Sequence, residues 1–406
     1  MSRAHVADLR VLFAARLLRM FAYGAIGVVL ALYLAQRGLD GARIGLLLTL
    51  ALLGDVALSL WLSAHADRWG RRRTLIAGAV LMAAGGAGLA AGEDFAVLVL
   101  AATLGVISPS GSEVGPFLAV EQACLAQEVT DRERTRIFAW YNLAGYVASA
   151  AGALGVAGFS RAAHQQGWTG LETHHAVLWA YAGVGAMLGA LALRLSPAVE
   201  APRVSAAGRA LLGLHESRAL VLRLSALFAL DSFGGGFVLQ SFVAWWFQRR
   251  FGADEALLGA VFFGTNLLSG LSGLAAVPLA RRIGLVNTMV WTHLPSNLLL
   301  MLVPFMPTLP LSIAALLARH VLSQMDVPTR QSYVNAIVPP AERAAANGVA
   351  ATAKQLGTAA GPVVAGALFG AAAAGALPFV VCGILKSAYD LMLWRSFART
   401  KPPEER

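Results

Sequence analysis

The chain has 406 residues, of which 57% are hydrophobic and only 13% charged, with 42 glycines and a mean hydropathy of +0.65. A water-soluble domain needs more charge to cover its core, so the composition excludes a soluble globular protein and indicates an integral membrane protein. The formal net charge of +10 is no nucleic-acid footprint, because Lys and Arg fall in short clusters between apolar runs, where they orient a chain in a bilayer.

Crossing about 30 Å of hydrocarbon takes roughly 20 helical residues. Segments of this kind lie at 11–36, 44–66, 74–92, 95–127, 136–159, 176–195, 219–247, 256–280, 285–306, 309–338, 344–370 and 373–397, which predicts an all-α protein of twelve transmembrane helices. Residues 1–10 lack the pattern of a cleaved signal peptide, so the first segment is expected to stay as a helix. Of the 32 Lys and Arg, 23 fall on the termini, alternate connections and adjoining helix ends, against 5 on the opposite side, which predicts cytoplasmic termini. The Pro-, Arg- and small-residue stretch 196–218 reads as a linker between a first bundle, 1–195, and a second, 219–406. Glu121 through Arg134 to Gly152 can be laid over Arg330 through Arg343 to Gly361 at a constant shift, as expected of a duplicated six-helix unit.

A charge at the bilayer centre costs about 2.5–3.5 kcal/mol on insertion scales, so each interior charge needs a partner, a wet cavity or a task. The first span carries Arg16, Arg19 and Tyr23. In the second, Asp55 beside Gly54 reads either as a proton site or as a hydrogen-bonded anchor. The fourth packs Pro109, Gly111, Glu113, Gly115 and Pro116 into the nine residues Ser108 to Pro116, which precludes a regular helix, and Glu121 follows. Glu113 is the first choice for a proton carrier, since freed backbone groups beside it can bind a cation, a proton or a polar group. In the seventh span, Asp231 precedes the soft stretch Gly234-Gly235-Gly236, and Gln240 is near enough to line the same half. The tenth spaces Asp326 and Arg330 one helical turn apart around Pro328, an arrangement open to a solute site or a structural pair, with a kink at the proline. Lys386 and Asp390, four apart, are expected to pair with each other, and His293 to be a hydrogen-bonded packing residue. Arg319 and Lys354 complete the interior bases. His164, His174 and His175 are expected in a solvated outer loop, and Cys124 and Cys382, inside apolar runs, make neither a disulfide framework nor a metal spacing. No zinc-protease helix, phosphate-binding loop or nucleophile elbow occurs, so an enzyme is not expected, and no soluble segment is long enough for a sensor domain.

The connection between the second and third spans reads Ser63-Ala64-His65-Ala66-Asp67-Arg68-Trp69-Gly70-Arg71-Arg72. Gly70 permits a tight turn, and Asp67 can accept charge-assisted bonds from arginine and helix N-terminal donors. This stretch resembles the signature loop of the major facilitator superfamily. Asp67, Arg68, Gly70, Arg71 and Arg72 match it, whereas Ser63 and His65 replace a glycine and a leucine. A decayed counterpart, Val277 to Gly284, has Arg281 in place of the acid. The resemblance implies two pseudo-symmetric six-helix bundles around a central cavity lined by spans one, four, seven and ten. It also implies alternating access gated by the Asp67 loop. A small-molecule solute, the proton as coupling ion and the lipid bilayer are the expected partners, with no cofactor, metal or nucleic acid, in a monomer of a bacterial cytoplasmic membrane. Proton-coupled efflux of a small organic or drug-like compound is the favoured expectation, and transport of an organic or metalloid anion through Arg330 and Arg319 is the alternative. The Gly-Pro ending that drug-efflux members carry on the fifth span is missing from Gly145 to Gly155 and has its nearest likeness at Gly361-Pro362 in the eleventh.

Overall fold

The computed structural model describes residues 3–128, 131–200, 216–339, 342–371, 375–398 and 400, and within them the chain is helical, without strands. The first half forms α1 (Arg3–Gln36), α2 (Gly41–Trp69), α3 (Arg71–Ala91), α4 (Phe95–Leu104), α5 (Phe117–Glu128), α6 (Asp131–Gln165) and α7 (Gly170–Ala192). The second forms α8 (Arg218–Gly235), α9 (Gln240–Phe251), α10 (Glu255–Ile283), α11 (Leu285–Leu302), α12 (Leu309–Leu322), α13 (Asp326–Ile337), α14 (Arg343–Ala371) and α15 (Leu377–Phe397). Eight helical stretches among the described residues are long and apolar enough to cross a bilayer by length and composition. Two of the other expected spans, the fourth and the tenth, are each split in two. The helix of the ninth is diluted by Asn287, Thr292, His293, Ser296 and Asn297.

The outer surface is apolar: Val80, Leu100, Leu274, Leu298 and Ile384 are all more than half exposed. In water such a surface would drive association, whereas in a bilayer it meets acyl chains.

Two compact units emerge, Met1–Val204 with Gln240–Phe263, and Ser205–Leu239 with Gly264–Arg406. The seventh span divides between them at its glycine-rich break, a 3-10 turn at Gly236–Val238. Gln240 accordingly belongs to the first unit, not to the half that holds Asp231. Residues 201–215 of the expected linker lie outside the described residues. Its start is tied down, with Ser196 N–H donating to Asp8 Oδ1 at 2.9 Å and Val199 fully buried.

In the first unit α1 is the central helix, with Ile26 and Val28 to Leu34 completely buried, as a helix apolar all round must be. Its contact with α6 is close enough to require glycine. A Cβ at Gly24 would run into the carbonyl of Ser149, and one at Gly152 into the carbonyl of Phe21. The second unit repeats this between α8 and α14: a Cβ at Gly236 would meet Thr358 O at 2.5 Å, and one at Gly361 Phe233 O at 2.8 Å. Phe21 and Gly24 map onto Phe233 and Gly236 by one shift, and Ser149 and Gly152 onto Thr358 and Gly361 by another. The duplication read from the sequence is therefore also a duplication of packing. Gly24→Val and Gly361→Val should each lower the thermal midpoint of the purified protein, with overpacking costing about 1–3 kcal/mol; an unchanged midpoint would show that the crossings yield.

Candidate functional site

Each unit holds a buried ion cluster. In the first, the Arg19 guanidinium forks onto Glu121, Nη1 to Oε1 and Nη2 to Oε2 both at 2.6 Å, and its Nε donates to Glu113 Oε1 at 2.9 Å. Arg16 donates to the other oxygen of Glu113, and the Tyr141 hydroxyl to Glu121. The cations also lie over rings, Arg16 over Tyr141 and Arg19 over Phe117. Gly145 leaves the room Arg16 occupies, since a Cβ there would stand 2.7 Å from Nη2. Two arginines thus neutralise two glutamates out of water, where removing any one partner strands a charge.

Glu113 lies within, and Glu121 just beyond, the irregular segment between α4 and α5, residues 105–116, which confirms that no regular helix runs through the fourth span. Gly111 and Gly115 have φ of +66° and +82°, conformations that favour glycine. Non-helical backbone at membrane depth needs partners from elsewhere in the protein. Tyr181 and Tyr23 hydroxyls donate to Val106 O and Val114 O, Ser149 Oγ donates to Gly111 O, and Ser241 N–H donates to Pro109 O. Gly115 N–H donates to Asp55 Oδ1 at 2.6 Å, and Ser59 Oγ to the same oxygen at 3.2 Å. Asp55 has no cationic partner among the described residues, and its Oδ2 bonds none of them. Gln240 reaches the segment from α9, its Nε2 donating to Gly24 O at 3.4 Å and its Oε1 3.0 Å from where a Gly111 Cβ would stand.

In the second unit Asp231 is the centre: Lys386 Nζ donates to its Oδ1 at 2.7 Å and Arg330 Nη2 to its Oδ2 at 3.1 Å. Arg330 also donates to Asp326, so the expected pair one turn apart is formed, and its guanidinium lies over Phe228 and Tyr389. The expected kink is instead a break: α12 stops at Leu322, α13 starts at Asp326, and Pro328 sits in the first turn, where its missing N–H leaves no bond unmade. Lys386 and Asp390 do not pair with each other. Asp390 is fully buried and takes His293 Nδ1 at 3.0 Å and Asn297 Nδ2 at 2.9 Å. His293 is thus hydrogen-bonded as expected, and its Nε2 stands 4.0 Å from Asp231. A cavity of about 630 Å³ beside the Val277 to Gly284 stretch is lined by Arg281, Arg282, Asn287 and Thr329, but by none of the charged residues around Asp231.

Gly70 takes φ +106° in the turn from α2 to α3. Asp67 is exposed and accepts from Arg71 Nε at 3.1 Å, while the backbone N–H groups of Arg71 and Arg72 donate to Glu200, at 2.6 and 3.3 Å. The carboxylate on the α3 N-terminus is therefore Glu200 and not Asp67, and Arg71 reaches on to Val199 O at 3.2 Å. Arg68 is exposed and Arg72 half-buried. His174 is fully buried, not solvated: its Nδ1 is 3.0 Å from Gln36 Oε1 and its Nε2 3.1 Å from Glu255 Oε1. Cys124 and Cys382 are buried free thiols.

The sequence model of the Major Facilitator Superfamily matches this chain over residues 12–245 and again over 224–406. The uncharacterized membrane protein YJR124C of Saccharomyces cerevisiae is 30% identical over 392 residues, 89% of this chain and 88% of its own length. Among solved structures, a bacterial homolog of the human lysosomal transporter Spinster, inward-facing and occupied, superposes with a TM-score of 0.75 at 16% identity, covering 99% of each chain. The xylose transporter XylE from E. coli gives 0.73 at 15% identity, covering 99% of this chain and 98% of its own.

Arg19→Met should cost about 3–5 kcal/mol by stranding Glu121, and Arg19→Met with Glu121→Met less than the two single losses combined. Unfolding of all three variants in one detergent measures this, and additive losses would show the pair uncoupled. Glu200→Ala should lower stability by about 1 kcal/mol through the lost α3 cap, and more than Asp67→Ala in the same assay.

Proposed function

The chain belongs to the major facilitator superfamily, whose members are transporters and not enzymes, and from this premise we propose a secondary active transporter that couples a small organic solute to protons by alternating access. The Lys and Arg distribution supports cytoplasmic termini, export is the proposed direction, and the protein acts as a monomer. The Asp67–Arg71 pair and the Glu200 cap serve as the latch at the α2–α3 turn, with Gly70 as its pivot.

The proton is assigned to Asp55, at Oδ2. One observation carries this: of Asp55, Glu113 and Glu121, the acids that the sequence places inside the spans of the first unit, Asp55 alone has no cationic partner among the described residues. Protonating Glu113 or Glu121 would strand Arg16 or Arg19 at a cost of several kcal/mol, whereas protonating Asp55 strands nothing. The assignment therefore passes from Glu113 to Asp55. Asp390 also lacks a permanent cation, but it is 0% exposed, against 7% for Asp55. Gly115 and Ser59 hold Oδ1, so a proton on Oδ2 leaves the anchor to the broken fourth span in place. Tyr23, beside the same segment, and the paired acids Glu121, Asp231 and Asp326 with Arg330 keep a positioning role.

In everted membrane vesicles an acid lumen should drive solute inward, and Asp55→Asn should abolish that accumulation while leaving solute exchange across equal pH intact. Gradient-driven accumulation by Asp55→Asn at the wild-type level would sink the assignment. Accumulation indifferent to the gradient in the wild type would sink proton coupling itself.

A further inference from the structure

The turns that lead into α3 and α11 are built alike. Gly70 and Gly284 have φ of +106° and +86°. In each turn the threonine four residues on, Thr74 or Thr288, donates both its N–H and its hydroxyl to the glycine carbonyl. One constant shift therefore maps Gly70, Arg71 and Arg72 onto Gly284, Leu285 and Val286. At the α2–α3 turn the N–H groups of Arg71 and Arg72 donate to the Glu200 carboxylate, and a Cβ on Gly70 would stand 3.4 Å from each of its oxygens. At the α10–α11 turn Gly284, Leu285 and Val286 border the cavity of about 630 Å³. Arg281 and Arg282 line it at the positions of Asp67 and Arg68, and no described lining residue is acidic. Two guanidinium groups and a helix N-terminus thus surround a space that corresponds, in the other half, to the seat of a carboxylate.

The ends of α7 and α15 identify the carboxylate that matches. Leu193 N–H donates to Gly189 O, and Ala398 N–H to Trp394 O; two residues on, Leu195 N–H donates to Ala192 O, and Thr400 N–H to Phe397 O. A second constant shift therefore superimposes the two helix ends, and it sets Pro197 on Pro402 and Glu200 on Glu405. Residues 401–406, Lys401-Pro402-Pro403-Glu404-Glu405-Arg406, lie outside the described residues. The chain before them is delivered to the cavity: Ala398 and Thr400 line it, and the Tyr333 hydroxyl donates to Thr400 O at 3.1 Å. Five steps of chain carry Leu195 to Glu200 at the α3 N-terminus, and the same five lead from Thr400 to Glu405, an extended reach of about 17 Å.

We infer that the cavity seats the segment 401–406, with the Glu405 carboxylate on the N-terminus of α11 and Glu404 adding a second negative charge opposite Arg281 and Arg282. The docking follows from the duplicated turns and helix ends alone. Its role, a second latch matching the Glu200 cap, rests on the transport reading above.

The test uses the full chain in nanodiscs of zwitterionic lipid, carrying Asn287→Cys or, independently, Ser332→Cys, two positions that line the cavity, with a charged maleimide as the probe; Cys124 and Cys382 are buried. Deleting 401–406 should speed labelling at both positions about fivefold or more, the weight of a helix cap in a two-state equilibrium, and Glu405→Gln should do the same. Glu405→Gln should also lower the thermal midpoint by about 2–4 °C, and Glu404→Gln by less. The docking is overturned if both cysteines label at equal rates with and without 401–406. It is overturned equally if inorganic phosphate stabilises the full chain as strongly as the shortened one, which would show the cavity open to outside anions. Gradient-driven solute movement at the wild-type rate in a fast-labelling Glu405→Gln protein would overturn the latch and leave the docking. A wild-type chain that labels slowly yet moves no solute would overturn the transport reading alone.

Discussion

A charge inside a bilayer must be met by an opposite charge or by polar groups of the protein, because hydrocarbon offers neither water nor counterions. That constraint organises both halves of this protein. Arg19 brings Glu113 and Glu121 to α1, and Asp231 brings Arg330 and Lys386 to α8. The clusters sit where the helices are broken: Glu113 lies within the irregular segment after α4 and Glu121 on α5 just beyond it, while Asp326 and Arg330 begin α13 after the turn at 323–325. A broken helix has lost the ladder that would hold its two pieces in line. Ion pairs to a neighbouring helix, α1 in one half and α8 in the other, replace that lost rigidity.

The two clusters share one scaffold with reversed polarity. Arg19 corresponds to Asp231 under the shift that maps Gly24 onto Gly236, and Glu121 to Arg330 under the shift that maps Gly152 onto Gly361. In one half the base stands on the central helix and the acid on the broken span; in the other the signs are exchanged. The glycine crossings stay constant because they answer only to backbone distance, while the charges are free to invert provided each pair inverts together. Lys354 stands at the position of Gly145, so a glycine that makes room for Arg16 has its counterpart in a cation.

The balance within each cluster also separates structural charges from available ones. Glu113, Glu121, Asp231 and Asp326 are committed to arginine or lysine, and changing the protonation of any of them disturbs its partner. Asp55 is held by a backbone N–H and a hydroxyl, so a proton there would break no ion pair.

Composition and run length alone determined the membrane class, the helical fold and most span positions, because spanning a bilayer is a one-dimensional requirement on consecutive residues. The break in the fourth span was equally legible, since two prolines and two glycines around Glu113 act locally, as was the i,i+4 pair Asp326–Arg330. Partners across helices were not legible. Lys386 passes over Asp390, four residues away, for Asp231 on α8; Glu200 takes the helix N-terminus that Asp67 was expected to cap; and His174 is buried against Glu255. Sequence spacing ranks neighbours on one helix. Only the packed helices set which charges meet.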